Sequence, residues 1–185
     1  MTGRQSRVAA MRAVLEPRFA ANVLSSLIGL NREGDRARLE SALLAAGRMI
    51  RILGREGVVA TLGEELDFVE AWLELQKLRF DTRLSFRIET DATFIGRQVR
   101  RFRVFELVSD AVENSIEPPS VGGLIVVRCR SVGRHGLRIV VSDDRDLSVA
   151  ARVEMSGVEP RLRREGESRW PPASVGGRPS ARGRT

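Results

Sequence analysis

The sequence predicts an α+β fold, with a helical first half followed by a small sheet. Three observations carry this. Apolar residues recur every three or four positions up to about residue 80, the spacing changes to strict alternation from Leu84, and one more helical stretch separates that alternation from two further alternating runs.

The elements follow in order. Residues 8–30 place Met11, Val14, Leu15, Phe19, Val23, Leu24, Leu27 and Ile28 on a helical stripe, with Pro17 as a kink or a restart. Residues 36–53 carry Leu39, Leu43, Leu44, Met49, Ile50 and Leu53, and Gly54 with Gly57 closes that helix. Thr61 with Glu64 three residues on forms a capping box for a third helix, whose inner face holds Leu62, Leu66, Val69, Trp72, Leu73 and Phe80. None of the three is stable alone, so they form a bundle, part of whose stripe also fits a seam between subunits. Residues 83–90 alternate Leu84, Phe86 and Ile88 with polar partners, as a half-buried strand does. Residues 99–117 return to helical spacing and end at Pro118 and Pro119. Residues 122–130 and 136–142 read as two strands of a hairpin, with His135 in its turn.

Composition narrows the function classes. The chain has 185 residues, enough for one sizeable core or two small coupled ones. No apolar run reaches the roughly 18–20 residues of a membrane span, and the first residues lack a signal-peptide pattern, so a cytoplasmic location is expected. Cys129 is the only cysteine and His135 the only histidine, too few for a disulfide or a Cys/His zinc site. Cys129 reads as a small apolar filler of its strand, and His135 as a loop residue.

The net charge is +7, and every basic residue except Lys77 is arginine, which reads as coding bias more than as a call for nucleic acid. Residues 151–185 hold eight arginines against four glutamates and are rich in Gly, Pro and Ser from Ser156 onward. They are expected to be a disordered basic tail. The competing expectation is that residues 149–158 supply a closing strand for the sheet.

Motifs give the sequence its direction. Residues 15–27 read L-E-P-R-F-A-A-N-V-L-S-S-L, which resembles the Q-x-x-P-H-F-L-F-N-x-L-N box of LytS-type sensor histidine kinases, bacterial two-component proteins. Pro17, Phe19, Asn22 and Leu24 match it, and Arg18 stands where that box carries its phosphate-accepting histidine. A neutral imidazole offers a lone pair, whereas a guanidinium stays protonated and has none. Residues 61–66 and 72–80, T-L-G-E-E-L and W-L-E-L-Q-K-L-R-F, resemble the family's L-x-E-E-L and Y-L-x-I-Q-x-x-R-F. An ordinary amphipathic helix explains the apolar spacing of this stretch but not its ending over residues 76–80.

Residues 111–116, A-V-E-N-S-I, are similar to the N box L-V-E-N-A-I of GHKL-type ATP-binding domains. The resemblance implies that Glu113 orients or deprotonates an attacking group, that Asn114 helps to hold Mg²⁺ beside the phosphates of ATP, and that Asp143 hydrogen-bonds the adenine. Helical spacing puts Val108, Ala111, Val112 and Ser115 inward and Glu106, Asp110, Glu113 and Asn114 on another face. Hard oxygen donors of that kind suit magnesium.

The resemblance covers roughly residues 11–145 and divides the chain into a helical dimerisation and phosphoacceptor-like region (1–80), an incomplete GHKL-type α/β sandwich (81–150) and the tail (151–185). It implies a homodimer that engages a response regulator or a partner histidine kinase. Two departures stand against the family chemistry. Arg18 replaces the acceptor, and Arg145 and Leu147 fill slots where the family's D-N-G-x-G has glycines, while no second glycine-rich lid segment is recognisable after Ser148. The expected function is therefore a degenerate, pseudokinase-like member that works by dimerisation and partner binding. The alternative is a kinase that binds Mg-ATP and phosphorylates a histidine on a partner.

Overall fold

A computed structural model describes residues 17–116, 123–132, 136–142, 151–156 and 159–162. Helix α1 spans Pro17–Glu33 and helix α2 Arg36–Leu53. Pro17 opens α1, where its fixed φ fits and its missing N–H is not needed. Gly34, at φ +74°, turns the chain between the two helices, and the Asp35 side chain caps α2 by accepting the Arg38 N–H at 3.1 Å.

Strand β1, Val59–Thr61, runs directly into helix α3, Leu62–Phe80. The capping box at this junction is complete: Thr61 Oγ1 accepts the Glu64 N–H at 3.2 Å, and Glu64 Oε2 accepts the Thr61 N–H at 3.1 Å. A short 3-10 turn, Asp81–Arg83, leads into β2, Leu84–Glu89, and a second, Ala92–Phe94, precedes β3, Gln98–Arg100. Helix α4 spans Arg103–Ser115, and β4 (Gly123–Val132), β5 (Gly136–Ser142), β6 (Ala151–Ser156) and β7 (Glu159–Leu162) follow.

Two sheets result. β1 and β3 form an antiparallel ribbon with Val59 opposite Arg100 and Thr61 opposite Gln98. Because β1 continues into α3 and β3 stops just before α4, this ribbon starts both helices from one place. The larger sheet has the order β2-β4-β5-β6-β7, in which β2 and β4 are parallel and the remaining pairs antiparallel. A parallel pair needs a crossover, and α4 supplies it. Leu84, Ile125, Val127, Cys129, Leu137, Ile139 and Val141 form the buried face of the sheet. The other face carries Glu89, which accepts from Arg128 Nε at 3.0 Å and Arg130 Nη2 at 3.4 Å.

One hydrophobic cluster runs from Phe19 on α1 to Val141 on β5. Its centre is aromatic. Phe68 on α3 meets Phe102 and Phe105 edge-on at centroid distances of 5.2 and 5.1 Å, and Trp72 meets Phe105 at 5.2 Å. Such pairs add about 0.5–1.5 kcal/mol each beyond the area they bury.

The α+β class, α2 and the Thr61 cap match the expectation. Three points differ. The three-residue strands β1 and β3 were not foreseen, and the helix expected from residue 99 begins at Arg103, because residues 98–100 are held extended by their pairing with β1. The third is the tail: residues 151–156 and 159–162, expected to be disordered, pair as β6 and β7. Ala151, Val153 and Met155 alternate with Arg152, Glu154 and Ser156, a period-2 stretch that the overall tail composition hides, and β5 offers it an edge. The proposed stretch 8–16, His135 and residues 163–185 lie outside the described residues.

A chain ending at Ala150 would lose both outer strands and leave β5 as an open edge. Its expected outcome is aggregation, or a melting temperature lower than that of the full chain by several degrees. Thermal unfolding with light scattering measures both.

Candidate functional site

Helix α4 carries the sequence-predicted site. Val108, Ala111 and Val112 are buried against the sheet and α3, while Asp110, Glu113 and Asn114 are exposed on the opposite face near the C-terminal end. Asn114 Nδ2 donates to the Asp110 carbonyl at 2.6 Å, a bond in which its Oδ1 takes no part. A carboxylate at Glu113 and a carboxamide oxygen at Asn114 fit magnesium in kind. They are incomplete in number: among the described residues no group of three or more His, Cys, Asp or Glu side chains could hold a metal. Asp143 follows the last residue of β5 and lies outside the described residues, as do Arg145 and Leu147.

Arg18 occupies the second position of α1 and is exposed. Its neighbour Phe19 is buried and anchors the turn, so residue 18 faces outward. Asn22 is half-buried on the same helix, and Leu24 is 60% exposed. Cys129 is buried among the sheet's inner residues, and burial pushes its thiol up to about 11, which suits an unreactive filler.

The structure also shows a functional group that the sequence reasoning missed. Glu65, on α3, is 1% exposed, and its carboxylate accepts the backbone N–H of Phe102 at 2.6 Å and of Val104 at 3.2 Å. These are donors of the first turn of α4. Phe102 stands at the N-cap in the left-handed region, φ +63°, and gives α4 no side-chain cap of its own. Next to it, buried Arg101 donates from Nε to the Gly57 carbonyl and from Nη2 to the Val59 carbonyl, both at 3.2 Å. At the other end of α4, Arg83 Nη2 donates to the Ile116 carbonyl at 2.7 Å. A signal existed in the sequence: Glu65 falls on the inward stripe between Leu62 and Leu66, where a solvated carboxylate does not belong.

Comparison with known proteins bears on this arrangement. A model of the histidine kinase family, described as Histidine kinase, matches residues 6–84, from before α1 to the start of β2. The sensor histidine kinase BtsS of Escherichia coli is 24% identical over 163 residues, which covers 86% of this chain and 29% of BtsS. The sensor protein LytS of Staphylococcus saprophyticus is 26% identical over 144 residues, covering 76% of this chain and 24% of that protein. The sensor histidine kinase YesM of Bacillus subtilis is 22% identical over 116 residues, 62% of this chain and 20% of YesM. Residues 6–84 thus match the histidine kinase family, and the chain is similar to LytS-type sensor histidine kinases. The chain spans under a third of the length of these relatives. The family match takes in α1, α2 and α3 together, so Arg18 and Glu65 both lie within the matched region. Among the described residues no helix is long and apolar enough to cross a membrane.

Burial raises the Glu65 carboxyl from an ordinary 4.5 to about 7, and the N–H donors of Phe102 and Val104 and the charge of Arg101 only partly oppose it. The folded chain therefore holds a proton that the unfolded chain has lost between about 4.5 and 7. The contribution is fully present below that window, and stability falls as pH rises through it, by up to a few kcal/mol. Urea unfolding across this pH range should show that decline in the wild type and a flatter profile in Glu65→Gln, whose amide does not titrate.

Proposed function

We propose that this chain is a relative of the LytS-type sensor histidine kinases that lacks the acceptor histidine, acting in two-component signalling by self-association and partner binding without receiving phosphate itself. The observation that carries the reading is Arg18, exposed on α1 in the acceptor slot of the histidine box. A permanently protonated guanidinium offers no lone pair for phosphoryl transfer. Residues 1–80 then serve as the dimerisation and phosphoacceptor-like region, and 81–150 as the GHKL-type ATPase-like region.

Exposed aliphatic side chains support the dimer. Leu24 and Ile28 stand one turn apart on α1, and Leu43, Leu44 and Ile50 lie on α2, each more than half exposed. Exposed aliphatic side chains of this size on two neighbouring helices fit burial against a second copy. A response regulator or a partner histidine kinase is the further partner that the family suggests.

A second reading has its own support. Glu113 and Asn114 remain on an exposed face of α4, with the donor types that Mg-ATP needs, so the chain would bind Mg-ATP and phosphorylate a histidine on a partner. Under this reading Glu113 orients the acceptor, Asn114 helps to hold the metal and Asp143 reads the adenine.

Incubation with ATP labelled at the γ-phosphate, with magnesium, should leave the purified chain unlabelled. Acid-labile, base-stable label on the wild type would overturn the first reading. Arg18→His should also stay unlabelled unless the nucleotide site is intact, and labelling of that variant alone favours the second.

Light scattering on a size-exclusion column should give the mass of two chains. The double substitution Leu24→Glu and Ile50→Glu should shift it to one chain with helical circular dichroism retained. A dimer that survives the double substitution places the seam elsewhere.

A further inference from the structure

An α-helix exposes unpaired N–H groups at its start and unpaired carbonyls at its end, with partial positive and negative charge respectively. Helix α4 has no capping side chain of its own at its start. Its N-cap residue is Phe102 in the left-handed region with no capping side chain, and the neighbouring sequence, Arg101-Phe102-Arg103, offers no Ser, Thr, Asp or Asn. Both ends are instead served from α3 and the turn that follows it. Glu65, one turn into α3, accepts the N–H groups of Phe102 and Val104, and Arg83, three residues beyond the end of α3, donates to the carbonyl of Ile116. An acid therefore stands at the positive end and a base at the negative end, the arrangement that complements the helix dipole.

We propose that Glu65 and Arg83 are positioning residues that clamp α4 to α3 from both ends and so fix where Glu113 and Asn114 stand. The consequence for function rests on the reading of α4 as the N-box helix; the clamp itself does not. The Arg83 contact falls on Ile116, two residues past Asn114, so it acts at the site end of the helix. The Glu65 contact lies about 16 Å away along the axis, where a tilt of about 10° would move the site end by about 3 Å. Between the clamps, Phe68–Phe105 and Trp72–Phe105 fill the interface with rigid rings. A displacement of α3 within the helical bundle is thus passed to Glu113 and Asn114 as a rigid-body movement of α4.

The test compares amide hydrogen exchange in the full chain for wild type, Glu65→Gln, Arg83→Met and the double variant. Met49→Ala on α2, a core truncation in the bundle, is the control for general loss of stability. Glu65→Gln should accelerate exchange at the first turn of α4 by about tenfold or more relative to amides of α2, and Arg83→Met should do the same at its last turn. Met49→Ala should accelerate both helices alike. If the two clamp variants also accelerate α2 and α4 alike, or leave α4 unchanged, the proposal is wrong and the two side chains only add stability.

Titration with Mg-ADP gives the functional arm. Where the wild type binds it, each clamp variant should weaken binding by about tenfold while Met49→Ala leaves it unchanged at a temperature where all are folded. Equal weakening by all three overturns the positioning role. A wild type that does not bind Mg-ADP sinks the nucleotide reading of α4 instead, and the exchange pattern then decides the clamp by itself.

Discussion

Helix α3 is packed on nearly every side: over Leu62–Phe80 only Asp67 is exposed. A helix with eleven buried residues needs neighbours around much of its surface, and the other elements take their places as its cover. α1 and α2 lie against one side, α4 and β2 against the other, and β1 leads into its first turn. The two halves read in the sequence, helical and sheet-containing, therefore share one core through this helix.

Such burial has a cost where α3 carries polar groups. Glu65 escapes part of it because the first turn of α4 presents backbone donors, and burial still raises its carboxyl to about 7. Trp72 Nε1 and Gln76 Oε1 are buried on the same helix without a hydrogen-bond partner. They lie one turn apart, beside the aromatic contact to Phe105, in the part of the family motif where tryptophan replaces the usual tyrosine. The interface between α3 and α4 thus combines rigid ring packing with polar groups that are only partly satisfied.

The histidine kinase match and the candidate residues of α4 fall on different parts of this chain. The match over residues 6–84 includes Arg18, whose guanidinium is exposed on α1 and offers no lone pair. Glu113 and Asn114, beyond that match, are exposed on α4.

Local signals alone were enough for much of the fold. The bounds of α2, the Thr61–Glu64 capping box, β2 and the pairing of β4 with β5 are written in spacing and in cap or turn residues that act within a few positions. The outward placement of Glu113 and Asn114 on α4 was also legible, because helical spacing is set by neighbours in the chain. The tertiary structure decided the rest. β1 and β3 are too short to show a period and exist only because residues about forty apart pair. β6 and β7 form because β5 has a free edge, whatever the composition of the tail around them. Glu65 as the cap of α4 spans 37 residues and Arg83 at its far end 33, and no local pattern names the partner of a buried charge. Sequence determines which segments can be helix or strand, since that depends on neighbouring side chains; which polar group completes which helix end depends on what folding brings beside it.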